Sequence, residues 1–249
     1  MSELTWDEFP EISPAQWKQK IQAGLKGADY NKTLVRNTGE GIDVKPFYTS
    51  EDTGLAQVYP HRSGWKICQH IHVSDARRAN AEALDALKRG AESLLFVIPS
   101  EKSSIEALLH GIDLSVVPVY IQPEFLSPGF IRALGEFVPG KNNLLYLNTD
   151  IIGNLARSGN WYSGPEKDYG HLAEILDYCV HFQSAIAVDA GLYQNAGAHT
   201  VQQLAYALAH ANEYCNFIAQ PDAVSDRFRE RFTIHFKIAT GSNYFFDFR

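Results

Sequence analysis

From Gly64 to its end, this chain alternates short, nearly continuous apolar runs with amphipathic helical stretches, and that alternation restricts its folding more than any other feature. The runs are WKICQHI (65–71), SLLFVI (93–98), VVPVYI (116–121), NLLYLN (143–148), AIAVDA (185–190) and RFTIHFKIA (231–239). A strand that is apolar on both faces must be covered on both, the condition of a parallel sheet flanked by helices. The intervening stretches supply the helices. Asp75 is placed to cap one in which Ala76, Ala79, Ala83, Leu84 and Leu87 share a face and Gly90 marks the end. After the fifth run, Thr200 and Gln203 have the spacing of a capping box, and Val201, Leu204, Ala205 and Leu208 form the expected buried stripe. Repeated βα units suit either an open doubly wound sheet or a (β/α) barrel, and periodicity does not choose between them. Six runs fall short of the eight strands of a complete barrel. Either the chain is cut inside a barrel, or it is a naturally short relative whose exposed sheet edge something covers.

Residues 1–63 lack this pattern. Trp17, Ile21 and Leu25 share one face of a helix in PAQWKQKIQAGLKG, and a turn-rich arm follows. A lone amphipathic helix is not stable by itself, so this face has to pack on the barrel or on another chain. The expected organisation is an N-terminal helix and arm over 1–63 and a βα domain over 64–249.

A net charge of -7 leaves no overall basic footprint for nucleic acid or an anionic membrane, which points to small molecules or proteins as partners. The start, MSELTWDEFPEIS, carries acids where a secretory signal needs basic residues and an apolar run, and no stretch reaches membrane-spanning length, so the expected location is cytoplasmic. Cys68, Cys179 and Cys215 are widely spaced within apolar-periodic segments, as buried free thiols are. His70 and His72 share a strand face but lack the third ligand of a catalytic zinc site. The glycines of TGEGI and NAGAH do not have phosphate-loop spacing, and no serine nucleophile motif appears.

Several anchors run through the chain in order: LKGADYNKTLVRNTGEGIDVKPFYTSED (25–52), GWKICQHI at the first run, AGLYQNAGAHTVQQLAYALAHANEY after the fifth and GSNYFF after the sixth. In these the sequence resembles the methylmalonyl-CoA mutases, in the version carried by the smaller, non-catalytic subunit. The resemblance implies a TIM barrel of the cobalamin-dependent mutase type, incomplete, with six of its eight βα units visible and an N-terminal extended arm, and without the cobalamin-binding domain that caps it. It implies no cofactor on this chain and adenosylcobalamin on a catalytic large subunit, its expected partner, with self-association in the partner's absence left open.

Against the catalytic subunits' pattern, Cys68 stands where an arginine contacts substrate and His70 where a tyrosine does. Gln194 follows the tyrosine where a histidine would hold the thioester carbonyl; glutamine can donate a hydrogen bond but is no general acid. With Asp189 and Asp247, which either converge at the barrel mouth or cap local structure, these are the candidate lining residues of a residual cavity. Trp17, Ile21, Leu25, Tyr48 and Trp161 are the candidate interface residues; Trp161 either anchors a contact or folds back over the barrel. The expected role is a structural subunit, inactive alone, of the enzyme interconverting methylmalonyl-CoA and succinyl-CoA. The alternative is an acyl-CoA-binding barrel with residual or altered isomerase activity.

Overall fold

The computed structural model describes residues 12–39, 41–49, 51–52, 64–138, 143–179, 182–221, 223–230 and 232–241. Its contacts divide the chain into two units, Met1–Arg62 and Ser63–Arg249. In the first, α1 (Pro14–Gly24) is followed by α2 (Tyr30–Leu34) and by the short antiparallel pair β1 (Arg36–Asn37) and β2 (Asp43–Val44). Ser13 caps α1 in a reciprocal box with Gln16, which satisfies backbone donors that a helix start leaves open. No residue of α1 is buried. Trp17 keeps 49% exposure and meets the edge of Phe47 at 6.3 Å, Ile21 and Leu25 are half-buried, and Tyr48 is exposed.

The second unit runs β3 (Cys68–His72), α3 (Ala76–Lys88), β4 (Ser93–Ile98), α4 (Ile105–Leu109), β5 (Val119–Pro123), α5 (Pro128–Phe137) and β6 (Leu145–Thr149). It continues through α6 (Ile151–Ser158), α7 (Pro165–Tyr178), β7 (Ser184–Asp189), α8 (Gly191–Asn195), α9 (Thr200–Ile218), α10 (Asp226–Arg229) and β8 (Ile234–Lys237). Strands β3 to β8 form one sheet, all parallel and in sequential order. Right-handed crossovers that always step the same way put every helix on the same side of the sheet, and the sheet curls with its other face inward. The order therefore decides for a partial (β/α) barrel over a doubly wound sheet, in which the stepping direction reverses.

The two sheet faces have different chemistry. Ile71, Leu94, Phe96, Ile121, Leu147 and Ile186 are at most 1% exposed and belong to the main core, which they share with Ala83, Leu134, Leu172 and Tyr214 of the helices. The alternate residues, among them Cys68, His70, Tyr120, Asn148 and His235, face the inside. On β3, the edge strand of the sheet among the described residues, the inner residues Cys68, His70 and His72 are exposed.

Two helix expectations met different outcomes. Asp75 does cap α3, Ala79 and Ala83 are buried, and Gly90 adopts a left-handed φ of 110° after the helix. In α9 the cap is His199, boxed with Gln202, and the expected stripe faces outward: Val201, Leu204 and Leu208 are 52%, 43% and 63% exposed, and Ala205 is exposed too. The buried face is instead Gln203, Ala207, His210, Ala211, Tyr214 and Ile218. Its polar members are buried because each has a dedicated partner. The Gln203 amide clamps the backbone of Ala239, donating to its carbonyl at 3.1 Å and accepting from its N–H at 3.2 Å.

Candidate functional site

The C-terminal ends of the strands, where barrels of this type carry their chemistry, are held by a buried hydrogen-bond network. Asp150 follows β6 directly and caps α6, accepting from the Gly153 N–H at 2.8 Å. Its same oxygen, Oδ1, accepts from the Tyr214 hydroxyl at 2.7 Å and pairs with Nε2 of His210 at 2.9 Å. The other ring nitrogen of His210 lies 3.0 Å from the Tyr193 hydroxyl. With the proton on Nε2, the ring donates to Asp150 and accepts from Tyr193, so both ring nitrogens are satisfied. Tyr214 Oη also accepts from the N–H of Ile152 at 3.1 Å. Burial, and then the Asp150 charge, push both the Tyr193 and the Tyr214 phenol upward, so both stay protonated donors at neutral pH.

This network ties the ends of β6, α6, α8 and α9 into one rigid corner. It leaves no room for a side chain at residue 153, since a Cβ there would sit 2.0 Å from Asp150 Oδ2. That oxygen is buried without a hydrogen-bond partner.

Beside the corner lies a cavity of about 240 Å³, walled by Gln122, Asn148, Asp150, Arg157, Asp189 and Lys237 among others. Asp189, half-buried, accepts from the Gly191 N–H at 3.1 Å and receives Lys237 at 3.3 Å and Arg157 at 3.7 Å. Tyr162 is another wall, and its phenol is pushed up to about 12 by burial and the nearby Asp150 charge. A second, open-sided cavity of about 630 Å³ is walled by Cys68, His70, Tyr120 and His235 and shares Asn148 and Lys237 with the first.

Across the interior, Tyr120 of β5 stacks on Tyr146 of β6 at 4.7 Å and on His235 of β8 at 5.0 Å. Strands β5 and β8 are separated in the sheet by β6 and β7, so the Tyr120–His235 contact spans the concave face. Tyr120 and His235 thereby form one side of the larger cavity.

His235 is held below its ordinary value of 6.5 by burial, and His70 below it by burial, then Lys237 and His72. A histidine favoured as neutral in the fold contributes stability that is present above its unfolded pKa and is lost as pH falls through the folded value. Unfolding midpoints are therefore expected to drop between about pH 7.5 and 5.5. His235→Phe, which keeps a stacking ring, should flatten part of that fall; an unchanged pH slope in the variant would remove His235 as its source.

Of the residues singled out from sequence, Cys68 and His70 come together on the wall of the larger cavity, and Asp189 lies on the smaller one. Gln194 is half-buried on α8 and belongs to neither of these walls. Asp247 lies outside the described residues. Trp161 is half-buried, packed against the core and 5.9 Å from the Tyr169 ring. Asp150, His210 and Tyr214 were not singled out. The available signal was a histidine and a tyrosine at helical spacing with Gln203, Ala207 and Ala211. Among the described residues no group of three potential ligands could hold a metal ion, and no helix is long and apolar enough to cross a membrane.

The sequence profile of the methylmalonyl-CoA mutase family matches residues 101–248. The chain is 28% identical to the methylmalonyl-CoA mutase small subunit of Porphyromonas gingivalis, over 98% of this chain and 43% of that protein. It is 25% identical to the small subunit from Propionibacterium freudenreichii subsp. shermanii, over 86% and 38% of the respective lengths. To the mitochondrial methylmalonyl-CoA mutase of Homo sapiens it is 22% identical, over 93% and 37%. The chain thus spans 37–43% of the length of these relatives.

Proposed function

This chain belongs to the methylmalonyl-CoA mutase family, and from that premise we propose that it is the barrel part of a non-catalytic small subunit. In this reading it supports a cytoplasmic catalytic large subunit that carries adenosylcobalamin and interconverts methylmalonyl-CoA and succinyl-CoA. The observation that carries the reading is the Tyr120, Tyr146 and His235 stack inside the barrel. A radical rearrangement needs a sealed cavity with positioned polar groups; here Tyr120 and His235 line an open-sided one. The resemblance adds Cys68, His70 and Gln194 at positions where the catalytic pattern has an arginine, a tyrosine and a histidine.

Cobalamin does not fit the cavity at the strand ends. The cavity at the strand ends, about 240 Å³ in volume, cannot enclose a corrin, and no step of the proposed role runs through that cofactor here. The mutase names of the small-subunit relatives support a large-subunit partner. The exposed Trp17 and Tyr48 supply aromatic surface of the kind that anchors such contacts.

Co-expression with a methylmalonyl-CoA mutase large subunit is expected to give one species that co-elutes at micromolar concentration. The isolated chain with adenosylcobalamin and methylmalonyl-CoA is expected to form no succinyl-CoA. Separate elution, or turnover by the chain alone, would sink the proposal.

A further inference from the structure

The larger cavity brings a thiol, an imidazole and two lysines to one wall, Lys237 being paired with Asp189 and Lys66 exposed. Cys68 and His70 are successive inward residues of β3, about 6–7 Å apart along the strand and on one face of it. Lys66 and Lys237 flank them, and no carboxylate lines this cavity. Leu95 and Tyr120 give it an apolar side. Burial, Lys237 and His72 all favour the neutral imidazole of His70, the form that can take up a proton. The other two cysteines differ: Cys179 is buried and its thiol pushed far up by burial, while Cys215 is exposed on α9.

We propose that this cavity is an acyl-transfer site in which Cys68 takes the acyl group from an acyl-CoA thioester. The choice of substrate class rests on the family reading above. His70 accepts the Cys68 proton, directly or across one water, and Sγ attacks the thioester carbonyl carbon. The new Sγ–C bond forms, the bond from that carbon to the CoA sulfur breaks, and His70 returns the proton to the departing CoA thiolate. The products are S-acyl-Cys68 and free CoA. One thioester replaces another, so the step needs no oxidant or reductant. Lys66 attracts the anionic substrate, and the apolar wall receives the acyl chain.

The test incubates the 249-residue chain with methylmalonyl-CoA, and separately with acetyl-CoA, near neutral pH. Intact mass, peptide mapping and released CoA are then read. The expected result is one acyl adduct per chain on the Cys68 peptide, removable by hydroxylamine, with an equal amount of CoA released. Cys68→Ser should abolish it, and His70→Gln should slow it by about a hundredfold, with circular dichroism confirming that both variants fold. The exposed Cys215 is an internal control. The proposal is overturned by no adduct, by an adduct that persists in Cys68→Ser, by equal acylation of Cys215, or by an unchanged rate in His70→Gln. Because the readout uses the chain alone, its failure leaves the subunit reading standing, and failure to pair with a large subunit leaves the adduct measurement intact.

Discussion

Replacing Asp150 by alanine is expected to lower the free energy of unfolding by about 3–5 kcal/mol, the sum of two buried donors left without an acceptor and a lost helix cap. The side chain organises three donors on one oxygen: the Gly153 N–H, the Tyr214 hydroxyl and His210 Nε2. His210 has a side chain only 1% exposed and Tyr214 is fully buried. In the variant both lose their acceptor, and each orphaned group carries its own desolvation cost. The cap of α6 is lost at the same time. Asp150→Asn keeps an acceptor oxygen at the same place and should cost much less, about 1–2 kcal/mol. At about 2–4 °C per kcal/mol for a chain of this size, the two variants should separate clearly in thermal unfolding. Equal midpoints would mean that the carboxylate charge contributes little, and a loss under about 1 kcal/mol in the alanine variant would mean that the corner does not hold the strand ends together.

That corner shows where sequence reading stopped. The strands were legible because their signal is local: β4 coincides with the run SLLFVI, and the other five strands overlap theirs. The cap of α3 was legible for the same reason, Asp75 and Gly90 bounding one helix. The choice of barrel over open sheet required the order in which strands pair, which no periodicity contains. Asp150 and His210 are 60 residues apart, and neither the aspartate after β6 nor the histidine in α9 looks unusual until the fold brings them together. The misread face of α9 has the same origin. Its large apolar side chains suggested one stripe, but the smaller Ala207 and Ala211 allow close packing on the sheet. Gln203 and His210 are admitted because Ala239 and Asp150 wait for them. Long-range pairing can bury a polar side chain and leave a leucine outside, and amphipathicity alone then points the wrong way. Cys68 and His70 share a sheet face by strand alternation alone, whereas the aromatic stack beside the same cavity depends on three separate strands.

Phe96→Ala and Tyr120→Ala form the second prediction, and the difference between them is the point. Phe96 lies on the outer face of β4 with no exposed surface, so its truncation should cost about 3–5 kcal/mol through lost burial and a cavity beneath the helices. Tyr120, on the inner face of β5, is half-buried and stacks on two rings. Its loss should cost only about 1–2 kcal/mol, mostly the stacking contribution and partial burial. Urea unfolding of the two variants with equal denaturant slopes would measure the gap directly. Equal losses would mean that the aromatic stack is as much a core as the helix-covered face. The expected asymmetry has a functional consequence. If stability resides in the outer layer of Phe96, Ile121, Leu147 and Ile186, the inner face can exchange its side chains without endangering the barrel. Cys68 and His70, on that inner face, can then differ from a catalytic pattern at small cost to folding. A barrel stabilised in this way can lose a reaction before it loses its shape, the condition under which a catalytic fold turns into a supporting subunit.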